Sequence, residues 1–126
     1  MTMMERSDGH LWLPVCRLGQ LTPERGSAAL IEGKQIALFR THSDQVFAVQ
    51  NLDPFSGAMV MSRGIVGSRD GRPTVASPMY KQVFDLASGE CLDAVGKEPR
   101  PLRTWPVRIS GDSVLIGVAD HAHQAA

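Results

Sequence analysis

Ser77-Pro78-Met79-Tyr80-Lys81-Gln82-Val83-Phe84-Asp85-Leu86-Ala87-Ser88-Gly89-Glu90 is the stretch that sets the fold class of this chain. A proline-bearing turn leads into a short apolar run at 82–86, then a turn at 87–89 and a second run at 90–92. Runs this brief, bounded by Gly, Pro and Ser, read as paired strands rather than as a packed helix. The same punctuation extends outward on both sides. Upstream, 11–18 alternates loosely, and Pro14 marks it as an edge strand. Residues 20–26 form a turn or a single helical turn, with Thr22 placed to cap it and Pro23 at the first helical position. Residues 28–32 and 35–41 pair as a hairpin over Gly33-Lys34, where a leading glycine suits a type II′ turn. After a turn at 42–45, residues 46–51 make a third strand.

Nearer the opening stretch, 52–62 has no clean period and reads as a loop that packs its own Phe, Met and Val side chains. Short strands at 64–67 and 74–76 flank a turn at 68–73. Downstream, Pro99 and Pro101 make 94–102 an extended linker. A final hairpin joins 103–109 to 113–118 over Ser110-Gly111-Asp112. The expected architecture is all-β: a β-sandwich or small barrel of short antiparallel strands, with little or no helix and one long loop region at 51–81. Residues 1–10 are expected to be a flexible N-terminus, 11–118 a single domain and 119–126 a disordered tail.

Composition supports a compact domain and narrows its partners. The 126 residues are 43% hydrophobic and 21% charged, and thirteen Lys+Arg balance thirteen Asp+Glu. Zero net charge excludes a strongly basic nucleic-acid binder and an acidic disordered protein. Two cysteines, Cys16 and Cys91, make no disulfide framework and no metal-ligand spacing. The N-terminus has no apolar core of a signal peptide, and no apolar run suits a membrane span. A soluble cytoplasmic protein is the expectation. Catalytic constellations are thin: His10, His121 and His123 fall in the termini and His42 in a turn, so no catalytic or metal residue is assigned. No glycine-rich phosphate loop opens a helix.

Two short boxes bracket the long loop: Asn51-Leu52-Asp53-Pro54-Phe55, and the stretch beginning Ser77-Pro78-Met79-Tyr80 and continuing to Glu90. At these residues the chain resembles the Rieske-type domain family. There, Cys-Pro-His and Cys-Pro-Xaa-His-Gly boxes on two loops ligate a [2Fe-2S] cluster, and the second box runs into a Phe-Asp-Leu-Xaa-Ser/Thr-Gly-Glu strand and turn. Here Asp53 and Ser77 stand at the Cys positions, and Phe55 and Tyr80 at the His positions. An iron–sulfur cluster needs soft sulfur ligands, so this chain is expected to hold no cofactor. Within that fold, the chain resembles the small subunits of assimilatory NAD(P)H-dependent nitrite reductases. Residues 11–16 and 101–107 add to this likeness. The resemblance implies a large-subunit partner carrying flavin, an iron–sulfur cluster and sirohaem, which reduces nitrite to ammonium. Rival readings are a stand-alone Rieske-type ferredoxin and a non-redox β-domain that binds another protein.

With the ligands replaced, the boxes become a tip of ordinary side chains. Phe55, Met59, Met61, Met79 and Tyr80 would cluster there, flanked by Arg63, Arg69 and Arg72. An aromatic and Met centre rimmed by Arg suits a protein–protein contact. An equal alternative has Phe55 and Tyr80 filling the vacated volume as core.

Overall fold

The structure, a computed structural model, describes residues 5–7 and 9–119. The strands among these residues, in chain order, are β1 (Glu5–Ser7), β2 (His10–Arg17), β3 (Gly26–Ile31), β4 (Lys34–Arg40), β5 (Val46–Gln50) and β6 (Ile65–Arg69). They continue with β7 (Arg72–Ala76), β8 (Val83–Asp85), β9 (Cys91–Asp93), β10 (Thr104–Trp105), β11 (Val107–Ser110) and β12 (Ser113–Ala119). The helical elements among the described residues are two single 3-10 turns, Leu18–Gln20 and Met61–Arg63. The pairs β1–β2, β2–β12, β11–β12, β3–β4, β4–β5, β6–β7, β7–β8 and β8–β9 all run antiparallel, as the short runs and turn residues imply.

The chain divides into two compact units. One comprises the described residues up to Gln20 and from Trp105 onward, and holds a sheet in the order β1-β2-β12-β11. Its central strand β12 buries Val114, Leu115, Ile116 and Val118, so both of its faces are covered. Part of the segment expected to be a flexible N-terminus forms β1, which pairs with His10, Leu11 and Trp12 of β2. Strand β2 is therefore interior at its start. Among the described residues its ladder to β1 ends at Trp12, and Leu13 and Pro14 have ladder partners on β12 alone. Opposite Pro14 the ladder slips: Val114 faces Cys16 and Leu115 faces Pro14, which leaves Val15 as a bulged residue. The Arg108 guanidinium lies 4.2 Å from the Trp12 ring centroid and braces the same sheet.

The other unit, Leu21–Thr104, contains two sheets, apart from Trp105 of β10. One runs β10-β5-β4-β3 and the other is the meander β6-β7-β8-β9. Ala37 and Phe39 from β4, Val49 from β5, Val75 from β7 and Phe84 from β8 meet in one buried cluster, completed by Met61, Leu86 and Leu102. This core between two sheets is the sandwich the alternating runs imply. The β3–β4 hairpin turns on Glu32-Gly33, with φ of +51° and +78°, while Lys34 already pairs with Ile31. The turn thus sits one residue earlier than expected and is of the type I′ kind, whose twist matches the flanking strands. No helical turn follows Thr22. The chain instead turns through an Arg25 N–H bond to the Thr22 carbonyl, and Pro23 bridges to Arg40.

The turn after β8 explains the Phe-Asp-Leu-Ala-Ser-Gly-Glu sequence as architecture. The Asp85 carboxylate accepts bonds from the Ala87 and Ser88 amides (2.7 and 3.1 Å) and from Arg72 Nε (2.6 Å). Arg72 also reaches Glu90 at 3.0 Å, so one guanidinium ties β7 to both sides of the turn. Gly89 has φ +79°, and its carbonyl accepts from the Leu102 amide at 2.8 Å. A Cβ at Gly89 would lie 2.1 Å from the Leu102 carbonyl oxygen, whereas one at Gly33 would meet nothing within 4 Å. Gly89→Ala is therefore expected to cost about 3 kcal/mol in urea unfolding and Gly33→Ala about 1 kcal/mol. Equal losses would show that the close approach of 102 to 89 contributes nothing.

Candidate functional site

The loops after β5 and after β7 are built alike. Asp53 donates its N–H to the Ala58 carbonyl (2.8 Å), and the Gly57 N–H returns to the Asp53 carbonyl (2.8 Å). Ser77 donates to the Gln82 carbonyl (2.9 Å), and the Lys81 N–H returns to Ser77 (3.1 Å). The turn at 85–90 has the same frame, Asp85 to Glu90 and Gly89 to Asp85, both 2.8 Å. In all three the first residue's side chain also accepts the amide two positions on: Phe55 on Asp53 Oδ1, Met79 on Ser77 Oγ and Ala87 on Asp85 Oδ1. The fifth residue is always left-handed, with φ of +79° at Gly57, +64° at Lys81 and +79° at Gly89. Two of the three turns place glycine there; the third places a lysine, at a strain of about 1 kcal/mol.

The two loops are joined at their first residues. Ser77 Oγ–H donates to Asp53 Oδ2 at 2.6 Å, and both residues are buried. Burial alone would push the Asp53 carboxyl up. The bonds from Ser77, from the Phe55 amide and from Ser56 outweigh it and hold the carboxyl below its usual range. The base of the first loop is pinned by buried Asn51. Its side chain donates to Gln35 Oε1 and the Met59 carbonyl and accepts from the Ser62 amide.

The remaining expected site residues separate. The Phe55 ring is half-buried against the core, with its centroid 6.1 Å from that of Phe84. Tyr80 turns outward and is 51% exposed, with Met79 and Met59 nearly as open. Core and surface therefore divide these residues between them. Met61 is fully buried in the core and presents nothing at the surface, which removes it from the expected cluster. Arg63 is exposed. Arg69 and Arg72 face each other at the hairpin end of β6 and β7. Five strand residues, roughly 16 Å, separate Arg72 from Ser77, so these two arginines do not rim Tyr80, and Arg72 is engaged with Asp85 and Glu90. The cations near Tyr80 come instead from the linker: Lys97 Nζ lies 6.0 Å from the ring centroid. Lys97, Glu98 and Arg100 with Pro54 and Phe55 line a cleft of about 220 Å³ beside the first loop.

Comparison with known proteins identifies this two-loop frame. Residues 11–117 match the Rieske-like [2Fe-2S] domain. The chain belongs to that family. Within it, the chain is similar to the nitrite reductase (NADH) small subunit of Escherichia coli K12, at 45% identity over 83 residues, 65% of this chain and 77% of that protein. The solution structure of the nitrite reductase [NAD(P)H] small subunit from Erwinia carotovora superimposes with a TM-score of 0.71 at 40% identity, covering 86% of this chain and 82% of that one. A further match lies inside a longer protein. Over 106 residues, 84% of this chain, it is 42% identical to 11% of the nitrite reductase [NAD(P)H] large subunit of Klebsiella oxytoca.

The Rieske-like family implies a [2Fe-2S] cluster between these loops, and the residues present do not fit one. The two buried first positions offer a carboxylate and a hydroxyl, already bonded to each other, in place of thiolates. Phe55 has no donor atom, and Tyr80 points to solvent. Among the described residues no three His, Cys, Asp or Glu side chains gather as a metal site. Cys16 and Cys91 are free thiols on β2 and β9, outside both loops. His121 and His123 lie outside the described residues. The missed signal is a short internal repeat. Asp53-Pro-Phe-Ser-Gly57 and Asp85-Leu-Ala-Ser-Gly89 share Asp-Xaa-Xaa-Ser-Gly, which foretells the two carboxylate-capped turns.

Removing the Asp53 carboxylate leaves two amides and a buried hydroxyl unpaired, so Asp53→Ala is expected to cost about 2–4 kcal/mol at neutral pH. Because the folded pKa lies below the unfolded one, this contribution is complete above about pH 4–5 and is lost as pH falls through the folded value. Urea melts should show the gap to wild type narrowing below about pH 4. A gap that holds constant into stronger acid would contradict this assignment.

Proposed function

We propose that this chain is the cluster-free small subunit of an NAD(P)H-dependent nitrite reductase. In this reading it works in the cytoplasm, through residues 11–118, beside a separate large subunit that holds flavin, an iron–sulfur cluster and sirohaem. The large subunit carries electrons from the nicotinamide to nitrite, yielding ammonium. This chain has no catalytic residue of its own and contributes by docking. Its exposed loop-tip side chains, Met59, Met79 and Tyr80, with exposed Arg63 on the 3-10 turn after the first loop, are the proposed contact. The observation that carries the reading is the 42% identical segment within the Klebsiella oxytoca large subunit. A domain covalently attached to that catalyst stays beside it at high effective concentration, and a free-standing version reaches the same place by binding. The lack, among the described residues, of a helix long and apolar enough to cross a membrane is consistent with such a partner.

Co-expression with the large subunit tests the proposal. A stable complex is expected, with nitrite-dependent NAD(P)H oxidation that falls when this chain is omitted. The chain purified from cluster-replete anaerobic cells is expected to be colourless, without iron or acid-labile sulfide. Full activity without the chain, together with no complex, would leave a β-domain with some other protein partner. Brown protein with equal iron and sulfide would make it a ferredoxin.

A further inference from the structure

The three equivalent turns single out Lys81. At the same position Gly57 and Gly89 adopt the left-handed conformation without strain, and Lys81 adopts it with a full side chain. The turn that carries Lys97 contains a second departure. Val95 has φ +53° and is followed by Gly96 at +81°, with Lys97 N–H bonded to the Ala94 carbonyl at 3.2 Å. That backbone favours Asn-Gly or Asp-Gly, and a β-branched residue there is a strong outlier. Of the other positive-φ residues that carry side chains, Glu32 and Asp70 stand before glycine at hairpin turns, where a polar residue is ordinary, and Glu24 and Asp44 face His42 and Arg40.

Both strained side chains face solvent, and Lys97 brings their two turns together. Lys81 is exposed, Val95 is 53% exposed, and Tyr80, next to Lys81, stands under the Lys97 ammonium. Among the described residues neither Lys81 nor Lys97 has an acidic partner. The adjoining cleft has an apolar wall of Pro54 and Phe55, and Lys97 and Arg100 outnumber its one carboxylate, Glu98. Strain accepted in order to expose an apolar side chain and an unpaired cation, twice on one surface, is a mark of function.

We propose that Tyr80, Lys81, Val95 and Lys97 form the patch that docks an acidic segment of the large subunit, which rests on the function proposed above. Tyr80 and Val95 supply the apolar centre, and the two ammonium groups select carboxylates around it. The cleft beside the first loop extends the same surface and admits a side chain of the partner.

Binding to the purified large subunit, measured by surface plasmon resonance alongside thermal melts, tests this. Lys81→Gly and Val95→Asn relieve strain, so each should melt at or about 2–4 °C above wild type while binding roughly three- to fivefold more weakly. The double charge reversal Lys81→Glu with Lys97→Glu should weaken binding about tenfold at low salt, mainly through slower association, with the difference shrinking near 0.5 M salt. Wild-type affinity in all these variants would overturn the patch, as would weakening confined to variants that melt below wild type. Failure of the wild-type chain itself to bind would overturn the function proposed above instead.

Discussion

Asp53 Oδ2 and Ser77 Oγ meet 2.6 Å apart where loops from the two sheets of one unit converge, and neither side chain is open to water. A buried carboxylate is tolerable only when its lone pairs are taken up by donors. That requirement commits the Phe55 and Ser56 amides to one oxygen and the Ser77 hydroxyl to the other. The rest of the tip follows from it. With the Phe55 amide fixed, its ring drops onto Phe84. With Ser77 drawn inward, the residues after it are pushed out, and Tyr80 stands in solvent. In a Rieske centre two cysteine thiolates would join the same loops through iron; here one charge-assisted hydrogen bond joins them.

The frame that holds these loops is used three times, at 53–58, 77–82 and 85–90. Its repetition separates what stability requires from what it does not. The carboxylate or hydroxyl at the first position and the left-handed fifth position are common to all three. In the 85–90 copy the distinctive residues are structural. Asp85 caps the turn, Glu90 receives Arg72, and Gly89 allows the approach of residue 102. The 77–82 copy keeps the frame, with a buried hydroxyl in place of the carboxylate, and carries Tyr80 and Lys81 where its side chains face water. Burial and exposure thus give the two halves of the opening sequence different roles, an architectural turn and a presented surface.

Much of the strand plan was legible because it depends on local periodicity and turn chemistry. The runs at 46–51, 74–76 and 113–118 became β5, β7 and β12 with boundaries displaced by a residue or two. The first hairpin turn moved by one residue because Glu32 accepts a left-handed conformation before Gly33, a compromise that glycine position alone does not reveal. Pro14 signals an edge position, and among the described residues it pairs on one side alone, but β1 covers the start of the same strand. Candidate surface residues were harder to read. Met59 and Met61 differ by two positions, and one is half exposed while the other is in the core. Arg69 and Arg72 are near Tyr80 in sequence, but a strand's rise carries them to the far end of the hairpin.

By itself the sequence determined the all-β class, the family likeness and the mismatch of Asp53, Phe55, Ser77 and Tyr80 with a cluster, since side-chain chemistry and short-range periodicity are properties of residues and their neighbours. Only the tertiary structure decided which of those four fill the interior, and that Lys97, well beyond Lys81 in the chain, comes to rest over Tyr80. Those outcomes depend on how the two loops and the linker pack, and on where buried hydrogen-bond demand pulls the backbone. No local pattern carries that information, because the groups that satisfy one another, Asp53 and Ser77 above all, are distant in the chain.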